Sequence, residues 1–219
     1  MIINEIKFPI YGTCIILSIL IGSIYIYLNL KKEGIKKEYL LYFILLLFAF
    51  SIFGSFILTR LLTNTNGLTS YAGAISVIIC AYIFDKIVPC NHAYLKYSII
   101  SLPLIYAVGK IGCFLVGCCY GLPYNGILSV TYTNGLNMPL FPVQITETVV
   151  FIILFLILNL LKKSNNIIEL TIIICALSKF ALDFLRYEHI STAISRNQII
   201  SIVFIVVAII SMIKKNLKN

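Results

Sequence analysis

Seven long apolar runs, separated by short polar connections, constrain this chain more than any other feature. They read as helices over residues 10–30, 39–62, 68–88, 95–119, 141–161, 167–186 and 197–213. Continuous apolar runs of this length fit membrane-crossing helices, whereas a barrel would alternate polar and apolar residues. Seven spans of roughly 20 residues use about 140 positions, which leaves only short connections in a chain of 219. Charged residues make up 11% of the sequence and hydrophobic ones 60%, far from the roughly one-quarter charged composition of a soluble domain. The mean hydropathy is +1.02. The expected fold is therefore an all-α integral membrane protein with seven transmembrane helices, residues 1–219 forming a single transmembrane domain. A separate soluble domain, a disordered tail and a DNA-binding module are excluded. The first run is too long for a signal peptide, and Lys31 and Lys32 follow rather than precede it.

The net charge of +9 does not point to nucleic acid, because the charges lie in the connections and not along a face that tracks phosphates. They orient the chain instead. With the N-terminus outside, the cytoplasmic segments hold Lys31, Lys32, Lys36, Lys37, Lys86, Lys96, Lys162, Lys163, Lys214, Lys215 and Lys218. The outer segments hold Lys7, Arg60, Arg186 and Arg196. Eleven against four predicts N-out and C-in. No internal repeat of the kind that marks many transporters is visible. The longest connection, 121–140, is uncharged, turn-rich and assigned to the outer side.

Against this apolar background the polar residues gather toward the outer half. Lys179, Asp183 and Arg186 are spaced i, i+4, i+7 and share a helix face. Gln144 and Glu147 lie within two turns of the start of the fifth run, and Lys110 sits about 15 Å below the outer end of the fourth. Thr69, Ser70 and Tyr71 open the third run and Arg60 closes the second. Charges in a bilayer cost roughly 2.5–3.5 kcal/mol each, so they face a cavity or a partner. One reading pairs them structurally, Lys179 with Asp183 and Lys110 with Glu147. The other notes that Arg60, Lys110, Lys179, Arg186 and Arg196 outnumber Glu147, Asp183 and Glu188 by two. Surplus cations in an outward cavity suit an anion such as a phospholipid phosphate.

The densest motif runs from Gly109 to Gly121. Its glycines, Gly109, Gly112, Gly117 and Gly121, permit close approach of another backbone or of a lipid glycerol. Cys113, Cys118 and Cys119 lack a nearby His and match no standard zinc spacing, so no metal and no cofactor is expected. A disulfide between the neighbours Cys118 and Cys119 would be strained. Cys14, Cys80 and Cys175 read as small apolar fillers. His189, three residues beyond Arg186, is the one imidazole near the polar cluster, since His92 falls in a cytoplasmic connection.

The Gly109–Gly121 segment, followed by Pro142-Val143-Gln144-Ile145-Thr146-Glu147, then residues 180–187 and 195–202, resembles the prolipoprotein diacylglyceryl transferase family in order and spacing. Residues 67–76 fall where that family has a Gly-rich third-helix segment, so the resemblance covers nearly the whole chain. It implies a seven-helix membrane body, multi-pass in the plasma membrane, with its active site toward the outer leaflet. It also implies transfer of a diacylglyceryl group from phosphatidylglycerol to the lipobox cysteine of a prolipoprotein signal peptide, in lipoprotein biosynthesis. A thiolate attacks the glycerol C3 carbon and glycerol phosphate departs, which cations assist. The implied partners are phosphatidylglycerol, the prolipoprotein and the membrane, with no nucleic acid.

Carried over by position, Lys110 stands where the family's glycine motif has an arginine, keeping charge without bidentate geometry. Arg186 and Asp183 match the family's arginine and preceding acidic residue, and Gln144 and Glu147 match directly. The third-helix His position is Ala72, in Tyr71-Ala72-Gly73-Ala74. The motif's Asn is Cys113, its acidic residue is Cys118, and the Arg-His before the proline is Leu140-Phe141. The expected phospholipid-binding residues are Lys110, Arg186, Asp183, Gln144 and Lys179. The expected catalytic residues are Glu147 or His189 as acceptor of the thiol proton, with Tyr71 assisting. Two alternatives stay open: a diverged lipid-group transferase with another acceptor, and a non-catalytic lipid-binding or transport protein. A reporter fused after Asn219 is expected to report from the cytoplasm; an extracytoplasmic signal would reverse the assigned orientation.

Overall fold

The computed structural model describes residues 2–3, 9–64, 67–88, 90–132 and 136–217. Lys7, Lys218 and Asn219, which enter the orientation argument, lie outside the described residues. The apolar runs form helices α1 (Pro9–Lys32), α2 (Lys37–Ala49), α3 (Ser55–Thr63), α4 (Ser70–Ile87), α5 (Ala93–Val116), α6 (Val143–Leu160), α7 (Ile167–Asp183) and α8 (Arg196–Asn216). A π turn over Phe50–Gly54 joins α2 to α3, so the two make one rod in place of the second expected helix. Six rods among the described residues are long and apolar enough to cross a membrane, which makes this a multi-pass membrane protein. The remaining rod, α7, has 17 residues and buries Glu169, Lys179 and Asp183.

The chain folds as two compact units, one of residues 1–18 and 106–219 and one of residues 19–105, the divisions falling inside α1 and α5. The second unit is built on an aromatic and aliphatic core. Phe43, Phe84 and Tyr94 meet with centroids 4.8 to 5.0 Å apart, inside the range where edge and tilted contacts are favourable. Asp85 accepts from the backbone N–H of Leu95 at 2.9 Å and of Tyr94 at 3.3 Å, satisfying donors that the start of α5 leaves unpaired. At the start of α4 the hydroxyls of Thr59 and Thr69 meet at 3.1 Å. Thr69 caps the helix by accepting from Ala72 N.

The first unit holds α6, α7 and α8 together with the glycine-cysteine segment. α7 and α8 run antiparallel: Ser211 donates to Glu169 at 3.3 Å near one end, and Asn197 donates to Asp183 at 3.0 Å at the other. The sequence assigns 121–140 to a turn-rich connection, and the structure adds a small sheet there. Strand β1 (Ile2–Ile3) pairs parallel with β2 (Val130–Tyr132), which pairs antiparallel with β3 (Pro139–Leu140). Val130, Tyr132 and Leu140 are its buried side chains, packed by Phe114, Tyr120 and Tyr187. The sheet qualifies the all-α expectation without changing the helical body.

Two helices end earlier than their apolar runs. α5 stops at Val116 because Gly117 takes φ +65° and turns the chain, its N–H bonded to Phe114 O at 3.2 Å. Lys110 is thus about 9 Å from the helix end, nearer than the sequence implies. α7 stops at Asp183, and Arg186 enters an extended bridge with Gly121. Around that bridge Leu122 N donates to Leu185 O at 2.9 Å, Phe141 N to Leu122 O at 2.9 Å and Tyr187 N to Tyr120 O at 3.0 Å. A Cβ at Gly121 would lie 2.2 Å from Phe141 O, so only glycine permits this approach. Gly121→Ala is expected to destabilise the protein by about 1–3 kcal/mol, read as a lower thermal unfolding midpoint in detergent.

Candidate active site

Lone charges in apolar helices must find each other, and in the first unit they do. The Glu147 carboxylate, fully buried on α6, receives three cations. Lys110 Nζ lies 2.7 Å from Oε2, Lys179 Nζ 2.8 Å from Oε1, and Arg186 Nη2 2.9 Å from Oε1 and 3.3 Å from Oε2. The three come from α5, α7 and the segment after α7, so one carboxylate ties three elements. All of them are buried. Tyr106, one turn before Lys110, completes the arrangement: its hydroxyl accepts from Lys179 Nζ, and its ring lies 4.7 Å from that nitrogen and 5.3 Å from Lys110 Nζ.

Asp183 forms a second layer. Its Oδ1 is 3.2 Å from Arg186 Nε and accepts from Asn197 Nδ2 at 3.0 Å. Its Oδ2 accepts from the Ser195 hydroxyl and lies 3.3 Å from His189 Nε2. Ser195 is fixed by a capping box at the start of α8, where Gln198 N donates to its hydroxyl at 3.1 Å and the Gln198 side chain accepts from Ser195 N at 3.0 Å. Although Arg186 Nε is close to Asp183, it has no well-directed hydrogen bond and is buried.

The structure thus brings together Lys110, Glu147, Lys179, Asp183, Arg186 and His189. It corrects one pairing. Lys179 bonds Glu147 and Tyr106 where the i, i+4 spacing pairs it with Asp183, because Glu147 on the facing helix reaches it first. The surplus also differs. Arg196 and Glu188 are exposed, Arg60 belongs to the other unit, and three cations face two carboxylates at the cluster. Gln144 is committed to the protein itself: its amide donates to Cys118 O at 2.6 Å, and its carbonyl accepts from Tyr132 Oη at 3.3 Å. Burial pushes the Tyr132 phenol up to about 12, so it stays protonated and able to donate. Tyr71 lies on the first turn of α4 in the other unit.

Sequence reasoning missed Tyr106, Ser195 and Asn197 as members of the site. Tyr106 carried a signal, its i−4 spacing from Lys110, and Ser195 carried another, the S-x-x-Q pattern of a capping box. The glycine-cysteine segment also closes more tightly than its spacing indicates, for the Sγ atoms of Cys113, Cys118 and Cys119 all lie within 4.8 Å of one another. An apolar recess of about 520 Å³ lies alongside the start of α6, lined by Phe114, Val130, Phe141, Pro142, Ile145 and Val149.

Comparison with known proteins adds a family. A family model described as prolipoprotein diacylglyceryl transferase matches residues 1–214. The chain is similar to the phosphatidylglycerol–prolipoprotein diacylglyceryl transferase of Clostridium tetani, at 28% identity over 91% of this chain and 90% of that protein. It is similar to the enzyme of the same name from Clostridium novyi, at 27% identity over 82% of this chain and 74% of that one. The likeness to the Dehalococcoides mccartyi enzyme of that name is 26% identity over 66% of this chain and 60% of that protein.

Removing the shared carboxylate leaves three buried cations facing each other. Glu147→Gln is expected to cost about 3–5 kcal/mol of stability, measured as thermal unfolding in detergent. Adding Lys110→Met to that variant is expected to restore part of the loss, a coupling a double-mutant cycle reads directly.

Proposed function

Because this chain belongs to the prolipoprotein diacylglyceryl transferase family, we propose that it transfers a diacylglyceryl group from phosphatidylglycerol to the lipobox cysteine thiol of a prolipoprotein. The observation that carries the site assignment is the convergence of Lys110, Lys179 and Arg186 on Glu147, each with a contact of 2.9 Å or less. A preorganised cation cluster in a buried setting stabilises charge that develops as a bond breaks, with little reorganisation. Here that charge is the phosphate of departing glycerol phosphate.

In this reading Arg186 and Lys110 bind the phosphate. Arg186 contributes a planar guanidinium, whose fork of donors suits phosphate oxygens. Glu147 holds the cations in register, and its oxygens are fully used in doing so. That leaves His189 as the proton acceptor. With Nε2–H directed at Asp183 Oδ2, its Nδ1 offers a lone pair to the incoming thiol. The thiol proton passes to His189, the sulfur forms a bond to the glycerol C3 carbon, and the C3–O bond to phosphate breaks. Asp183 serves as the positioning residue for both Arg186 and His189. Gln144 positions the turn at Cys118 and with it the end of α5. The recess along α6 offers the acyl chains an apolar surface on the helix that carries Glu147.

The reading includes seven spans with the N-terminus outside, α7 crossing with its charges turned inward to the cluster, and a cluster that opens to the outer leaflet of the plasma membrane. Ile127 and Leu128, exposed at the tip of the 121–140 segment, suit a segment lying at the membrane interface. A diverged acceptor is the second reading, favoured by the three cysteines in the glycine motif.

Membranes carrying the protein, incubated with radiolabelled phosphatidylglycerol and a lipobox peptide, test this. Labelled peptide is the expected product; a different labelled product supports the second reading, and bound but unconverted lipid a non-catalytic one. Arg186→Ala is expected to lower the rate by about 10²–10³ and His189→Ala by about 10²–10⁴. Full activity in His189→Ala removes the base assignment while leaving the phosphate site standing.

A further inference from the structure

The transfer reaction makes no use of three thiols that the fold places together. Cys113 is buried on the last turn of α5, Cys118 is half-buried and Cys119 is exposed. A continuing helix would send them to different faces, but the turn at Gly117 (φ +65°) and Cys119 (φ +57°) folds the two later cysteines back over the helix end. Cys118 N donates to Cys113 O at 3.0 Å, and the three Sγ atoms lie within 4.8 Å of one another. A non-glycine residue at positive φ is uncommon. Among the described residues this is the one gathering of three metal-ligating side chains within mutual reach.

The geometry matches a thiolate site. A metal–sulfur bond of about 2.3 Å in a three- or four-coordinate centre sets neighbouring sulfurs roughly 4 Å apart, and these three already lie within 4.8 Å. The donor set is all sulfur, which selects thiophilic d¹⁰ ions over magnesium or calcium. The exposed edge at Cys119 gives an ion a way in and leaves room for a fourth ligand from solvent.

We propose that Cys113, Cys118 and Cys119 form a binding site for one thiophilic d¹⁰ cation, Zn(II) or Cu(I), that takes no chemical part in the transfer step. Its occupancy pins the turn whose Cys118 carbonyl is held by Gln144, so the ion braces the end of the helix that carries Lys110.

The full-length protein, purified in detergent micelles under a phosphine reductant, is titrated with Cd(II), whose thiolate complexes absorb in the near ultraviolet. Zn(II) and Cu(I) are then added in competition, and the one that displaces Cd(II) at lower concentration identifies the preferred ion. One equivalent of Cd(II) is expected to complete the signal. Cys113→Ser, Cys118→Ser and Cys119→Ser are each expected to weaken binding by more than about tenfold, since even outer-shell changes cost 10–100-fold. Cys175→Ser leaves binding unchanged. Unaltered protein supplies the second measurement: bound metal shields Cys113, Cys118 and Cys119, but not Cys175, from alkylation mapped by mass spectrometry. Absence of a thiolate signal, a signal retained in the triple serine variant, or alkylation of the three cysteines unaffected by metal overturns the site. None of these outcomes bears on diacylglyceryl transfer, which is read separately.

Discussion

A single buried carboxylate holds the first unit's polar interior together. Glu147 is the counter-charge for Lys110, Lys179 and Arg186, and each of those three is buried. Taking any one of them out of water alone is prohibitive, and pairing makes it possible. Pairing by a shared partner has a further effect. The carboxylate cannot neutralise all three, so a positive field persists inside an apolar body, and Asp183 offsets only the Arg186 end. That residual field is the physical basis of the proposed phosphate site.

Much of this was legible in the sequence, and the reasons differ from part to part. The helical rods follow from apolar runs too long for anything else, and the structure places a helix on every one of them. Their ends were less legible, because Gly117 and Asp183 stop α5 and α7 inside stretches that remain apolar or helix-compatible. The strands at Val130–Tyr132 and Pro139–Leu140 escaped because elements of two or three residues leave no periodicity to read. Lone charges flagged Lys110, Glu147, Lys179, Asp183 and Arg186, since in this composition a charge needs a reason. Spacing then misdirected the pairing of Lys179, for it reports which residues share a helix but not which helix stands opposite. Tyr106 passed as one more aromatic in an apolar run.

The cysteines show the same limit from another side. Their spacing in the chain matches no zinc pattern, and the expectation of no metal rested on that. The three sulfurs converge through a turn at positive φ, a property of the backbone that a ligand-spacing rule does not see. The residue changes within the glycine motif are therefore coherent in space: where the family resemblance places an amide and a carboxyl, this chain places two thiols beside a third.

The bridge between Gly121 and Arg186 has a practical corollary. Surface connections are ordinarily the safest places to lengthen, cut or label a chain. In this protein the connection after α5 is stitched by its backbone to the residue bearing the guanidinium, through Leu122–Leu185 and Tyr120–Tyr187. Insertional tagging around residue 121 therefore acts on the interior, however much the connection reads as a surface loop.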